Sequence, residues 1–216
     1  MRNWTVPSCT VGAILAWAAV AGAAPRAATI PKSWQLDFEF HDPQRLVLTL
    51  PGDQHGTTYW YLLYRVTNRT GRDVAFYPSV KLVTDTLDVV VAGDEVNPRI
   101  YDVIAARHKI EFPFLAPPAD VTGALLQGEE NARSSAAVFR TFDPQADSFT
   151  VHVSGLSGEI KRIPNPAFDP SEGETESNPR AFILRRTLAV RYDLPGDAGT
   201  STRGIPLRRS REWLMR

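Results

Sequence analysis

Tyr59-Trp60-Tyr61-Leu62-Leu63-Tyr64-Arg65-Val66-Thr67 is the stretch whose reading decides the fold. Successive side chains of a strand point to opposite faces. Trp60, Leu62, Tyr64 and Val66 therefore share one face, and Tyr59, Tyr61 and Leu63 the other. Apolar side chains on both faces describe a central strand covered from two sides. Asn68-Arg69-Thr70-Gly71-Arg72-Asp73 then supplies a turn.

The same period of two extends outward. Leu36, Phe38 and Phe40 alternate with Asp37 and Glu39, and Leu46, Leu48 and Leu50 line one face of the next segment. Val74–Tyr77 and Val80–Thr84 continue the pattern, with Pro78 marking a break, bulge or edge. Asn97-Pro98 changes the period: asparagine caps a first helical turn and proline suits its first position. Ile100, Val103, Ile104 and Arg107 follow at helical spacing, so a short amphipathic helix is expected over Pro98–Lys109, an insertion near 97–110. It should lie across the sheet or close one end of it. Phe112–Pro118 reads as loop. Strands resume at Ala124–Gln127, Ala136–Phe142, Ser148–Ser154, Phe182–Tyr192 and Leu207–Met215. Pro164–Pro179, rich in proline and acid, is expected to be a mobile surface loop over 164–179. Roughly eight or nine strands and one short helix predict a mainly β chain, a single antiparallel β-sandwich over 33–216, with a closed β-barrel as the second architecture.

Two blocks carry a resemblance. Tyr59–Gly71 ends in Val66-Thr67-Asn68-Arg69-Thr70-Gly71 and is followed by Pro78 to Leu82. Leu125-Leu126-Gln127-Gly128-Glu129-Glu130 precedes Ala137-Val138-Phe139 and Phe149–Val153. Together they resemble immunoglobulin-like domains of exported, uncharacterised bacterial proteins and lipoproteins. The resemblance implies an immunoglobulin-like sandwich and export, and no catalytic residue.

The N-terminus predicts that export independently. Met1-Arg2 gives one positive charge, Val11–Val20 is apolar, and Ala21-Gly22-Ala23 supplies the small-x-small end of a signal peptide over 1–23. Cleavage is expected between Ala23 and Ala24, followed by a flexible leader over 24–32. An uncleaved anchor is the alternative, but Val11–Val20 is short for a span and rich in alanine. With the signal goes Cys9, the one cysteine, leaving a cysteine-free mature chain with no membrane span, in the periplasm or secreted.

Composition narrows the function classes. Hydrophobic residues make up 43% and charged residues 22%, with 24 Lys+Arg against 24 Asp+Glu. A folded chain follows, with no electrostatic case for a nucleic-acid partner. Gly155-Leu156-Ser157-Gly158-Glu159 has glutamate where a nucleophile elbow needs glycine, so it reads as a turn. His41, His55, His108 and His152 form no helix-borne pair. Asp169, Glu172, Glu174 and Glu176 lack the ordered spacing of a calcium loop. No phosphate-binding glycine motif is present.

No catalytic set, metal site or cofactor is therefore expected. The expectation is a non-enzymatic exported module with a structural or protein-interaction role, its partner an unidentified protein of the cell envelope or beyond the cell. The alternative is an exported metal-dependent or hydrolytic enzyme with a loop site around His41, Asp53 and His55. A third possibility is a small-ligand platform on surface Tyr59 and Tyr61.

Overall fold

The computed structural model describes residues 26–31, 33–49, 54–196 and 204–216. The expected signal peptide with Cys9, Ala23 and Ala24, and the loop residue Asp53, lie outside the described residues. In chain order the elements are β1 (Asp37–Phe40), β2 (Gln44–Leu48), β3 (Thr57–Asn68), β4 (Val74–Phe76), β5 (Ser79–Thr84) and β6 (Val89–Val91). Two helices follow, α1 (Pro98–Arg107) and α2 (Pro118–Val121). The remaining strands are β7 (Gly123–Leu125), β8 (Gly128–Arg140), β9 (Ser148–Ser154), β10 (Ile160–Pro164), β11 (Ala181–Asp193) and β12 (Leu207–Met215).

β3 is the centre of a four-stranded sheet. β1 and β2 lie end to end along one edge, opposite Tyr64–Thr67 and Thr57–Tyr61, and β8 runs along the other. In the six-stranded sheet, β9 and then β10 follow one edge of β11 while β12 follows the other; β5 and β6 continue beyond β9. β4 and β7 form a separate pair. All these strand pairs are antiparallel, and the described strands make a sandwich with no closed barrel.

Both faces of β3 are buried, each for its own reason. Trp60, Leu62, Tyr64 and Val66 enter the space between the sheets, against Leu82, Val151, Leu188 and Tyr192. Tyr59, Tyr61 and Leu63 face outward and are covered by Ile100 and Ile104 of α1. Burying each large apolar side chain contributes ~1.5–3 kcal/mol, so this one strand anchors two cores. The Asn97 side chain accepts from the Arg99 N–H at 3.0 Å, with Pro98 opening the helix behind it. α1 thus lies across the sheet, as one of the two expected placements had it. Tyr59 and Tyr61 are 6% and 0% exposed, so they offer no surface platform.

Elsewhere the structure departs from expectation. Among the described residues there are twelve strands, and two of them, β6 and β10, are too short to register in the sequence pattern. α2 begins at Pro118, the last residue of the expected loop, and continues beyond it to Val121. The part of the expected flexible leader that is described is docked: Arg26 bridges to Leu214, and the Ala28 carbonyl accepts from Arg186 at 2.6 Å. A guanidinium 2% exposed needs such acceptors, and the leader supplies one. The acidic excursion is organised rather than structureless, because buried Asn178 donates to the Asp169 and Gly173 carbonyls and accepts from the Asp169 N–H. No helix of the described residues is long and apolar enough to cross a membrane.

Candidate functional site

His41 follows β1 and stands at one end of the β2–β3 hairpin, where its N–H donates to the Leu63 carbonyl at 2.9 Å. Its ring meets Phe112 edge-on, and Nε2 lies 3.5 Å from Glu111. His55 lies at the other end of the hairpin, beyond Thr57; Thr57 to Leu63 alone is ~20 Å of strand. The structure does not bring these two histidines together. Among the described residues no three His, Cys, Asp or Glu side chains gather as metal ligands.

His41 instead neighbours a hydrogen-bond chain. The Tyr61 hydroxyl donates to Gln44 Oε1 at 2.8 Å, which leaves His108 Nε2–H to donate to the Tyr61 oxygen at 2.9 Å. Burial, then the Arg107 charge, lowers the His108 pKa, and burial raises that of Tyr61. Asp42 accepts from the Tyr192 hydroxyl at 2.9 Å and from Arg208 Nε at 2.7 Å. A cavity of about 580 Å³ opens here between His41, Arg45, Trp60 and Arg107.

The other residues singled out from sequence have structural duties. Ser157 Oγ donates to the Trp34 carbonyl at 2.9 Å and accepts from the Glu159 N–H at 3.2 Å. Gly155 sits at φ +86°, and a Cβ there would lie 2.4 Å from the Tyr77 carbonyl oxygen. That bend is a close approach of two chain segments. Asn68 is fully buried, its amide donating to the Arg72 and Leu125 carbonyls and its oxygen accepting from Thr70, so the Asn-Arg-Thr turn consumes the amide a glycan would need. His152 lies on the outer face of the six-stranded sheet between Lys81 and Ala189. Burial first, and Arg216 second, push its pKa down to about 4.

A second cavity, about 400 Å³, opens at the side of the sandwich between β5–β6, β8, α1 and the Pro117-Pro118 corner. Small residues on its walls, Ala92, Ala119, Ala136 and Ala137, leave it unfilled. The Tyr101 hydroxyl and Ser135 Oγ both donate to the Ala116 carbonyl, the latter at 2.8 Å. Burial drives the Tyr101 pKa up to about 12.

An arm that the sequence did not disclose carries three large exposed apolar side chains. β10 pairs with Ala181–Arg185, the first half of β11, as a two-stranded ribbon; its outer edges meet no further strand among the described residues beyond the Arg185–Arg216 backbone pair at its base. Ile160, Phe182 and Ile183 are 58%, 47% and 58% exposed on it. The signal in the sequence was Ile160-Lys161-Arg162-Ile163, four residues beside a proline and too short to register as a strand. Beyond the ribbon, Asn165 joins the two limbs through the Arg180 and Pro179 carbonyls, and Arg180 lies 5.1 Å over the Phe168 ring.

Comparison with protein-family models, with curated proteins and with solved structures finds no match for this chain.

Proposed function

We propose that the chain is an exported, non-enzymatic β-sandwich module that works in the cell envelope or outside the cell by binding protein, with the β10–β11 arm as its contact surface. One observation carries this reading. A two-stranded ribbon is marginal in water by itself, and this one extends from the sheet with its outer edges unpaired among the described residues beyond the Arg185–Arg216 backbone pair, and with three large apolar side chains exposed. A partner on the arm would remove that apolar area from water and complete the backbone pairing at an edge. Export is supported by the basic start, the apolar Val11–Val20 run and the Ala21-Gly22-Ala23 end.

A photo-crosslinking side chain placed at Ile183 in the producing cell tests this reading. It should form one discrete adduct with a protein, and Ile160→Asp, on the same face, should abolish that adduct while leaving the fold intact by circular dichroism. No adduct, or one indifferent to that substitution, would remove the arm as the contact surface.

The lateral cavity favours a second reading, a site for a small apolar ligand, because its small-residue walls and prolines leave about 400 Å³ open with Tyr64 and Tyr101 on its lining. Filling it with Ala137→Leu should abolish enhancement of an environment-sensitive dye such as Nile red. Enhancement equal in the two proteins would reject the site.

A further inference from the structure

The arm carries charge in an uneven way. Cross-strand pairing sets Ile160 opposite Arg185 and Arg162 opposite Ile183, so two isoleucines and two arginines alternate on one face of the stem. Lys161 stands on the other face with Phe182 and Leu184. Lys161, Arg162 and Arg185 are exposed, and among the described residues none of them forms an ion pair. The tip carries exposed Asp169, Glu172, Glu174 and Glu176, of which only Glu174 pairs, with Arg180 at 3.9 Å. Three residues of strand, ~10 Å, separate Lys161 from the start of the tip. That is about one Debye length at physiological salt, so stem and tip barely neutralise each other within one arm.

Resting on the reading of the arm as the contact surface, we infer that its partner is a second copy of this chain. The two arms lie antiparallel about a two-fold axis, with the acidic tip of each against the basic stem of the other. A two-fold interface must be complementary to itself. An arm of uniform charge fails that condition, whereas one with a basic stem and an acidic tip meets it when turned end for end. The same arrangement packs Ile160 and Ile183 of one copy against those of the other. Arg162 and Arg185 then face Glu172, Glu174 and Glu176 of the second tip. A chain with equal numbers of acids and bases has no strong net repulsion to oppose the association.

Analytical ultracentrifugation tests this on protein purified after expression of the full-length gene, so that the N-terminus has undergone its own processing. From ~1 to ~100 μM, a span covering micromolar dissociation constants, the mass should rise from one chain to two, and raised salt should reverse the change. Arg162→Glu with Arg185→Glu gives the arm a net acidic charge throughout stem and tip, and Glu172→Lys, Glu174→Lys and Glu176→Lys gives it a net basic one. Each variant alone should stay monomeric at the top of that range, with melting temperature unchanged. Mixed in equal amounts, the two should restore a dimer, because each tip again meets an opposite stem. A wild-type chain monomeric throughout overturns the inference, as does a dimer indifferent to both reversals, or a mixture that stays monomeric. The Ile183 crosslink separates the two levels: an adduct with a different protein, from a monomeric chain, leaves the arm as the contact surface and rejects the second copy.

Discussion

β11 passes through two environments within one strand. From Arg186 to Val190 every residue is buried, whereas from Ala181 to Arg185 every residue is exposed or half-buried. The alternation of side chains is the same in both halves: Phe182 and Leu184 continue the row of Leu188 and Val190. The neighbours differ. The second half has β9 and β12 on its two edges and the four-stranded sheet across from it, while the first half has β10 alone beyond the Arg185–Arg216 pair at the junction. Side-chain pattern therefore tells which face of a strand is apolar, and the strands that flank it decide whether that face is covered.

Arg186 marks the junction, and breaking it should have the largest effect. It is 2% exposed, donates to Glu159 at 2.9 Å, to Gln35 at 3.1 Å and to the Ala28 carbonyl, and stacks over Trp213 at 4.9 Å. Arg186→Met leaves the Glu159 carboxylate buried without its counter-charge, at a cost of ~3–5 kcal/mol in urea unfolding. Adding Glu159→Leu should recover most of that loss, since the buried charge is then gone. If the single and double variants were equally unstable, the ion pair would be irrelevant and packing alone would hold the junction.

Within the covered half, Leu188→Ala should cost ~2–5 kcal/mol, the usual range for a cavity in a packed core. Urea unfolding checks it, and a loss below ~1 kcal/mol would mean that the sheets do not grip this row. His152, paired across from Ala189 in the same half, gives a smaller and pH-dependent effect. Unfolded, the imidazole takes up a proton as the pH falls through about 6.5; folded, burial delays that uptake to about 4. The stability carried by the neutral ring is complete above pH 6.5, declines between 6.5 and 4, and changes no further below. Discounted for the exposed side of the ring, the loss is ~1 kcal/mol. Unfolding at pH 7 and 4.5 should show the wild type losing that much more than His152→Gln.

What the sequence disclosed follows from the same contrast. The two faces of β3 were legible because its neighbours on both sides are apolar, so Trp60 and Tyr61 fell on opposite faces as read. α1 was legible because Asn97-Pro98 is a local signal whose partner, the Arg99 N–H, is two residues away. The first half of β8, Gly128–Ser135, was not, since Glu129, Glu130, Asn131, Arg133 and Ser134 carry no alternation; pairing with β3 at Gly128 and from Arg133 onward holds the segment in the sheet around an irregularity. The Arg186–Glu159 contact joins residues far apart in the chain, and no local pattern announces it. The arm was hidden because β10 is short and its apolar residues stay uncovered, so nothing distinguished Ile160–Pro164 from loop.

The smallest effect on stability is expected in the uncovered half, and it is the one that separates the two halves most sharply. Ile183 is more than half exposed, so its truncation removes little area that folding had taken from water. Ile183→Ala should shift unfolding of the monomer, measured at low concentration, by no more than ~0.5 kcal/mol. Leu188→Ala, five positions along the same strand, should then differ from it several-fold. If Ile183→Ala instead destabilised the dilute monomer by as much as Leu188→Ala, the first half of β11 would already be covered in the isolated chain, and the arm would have no free apolar face to offer a partner.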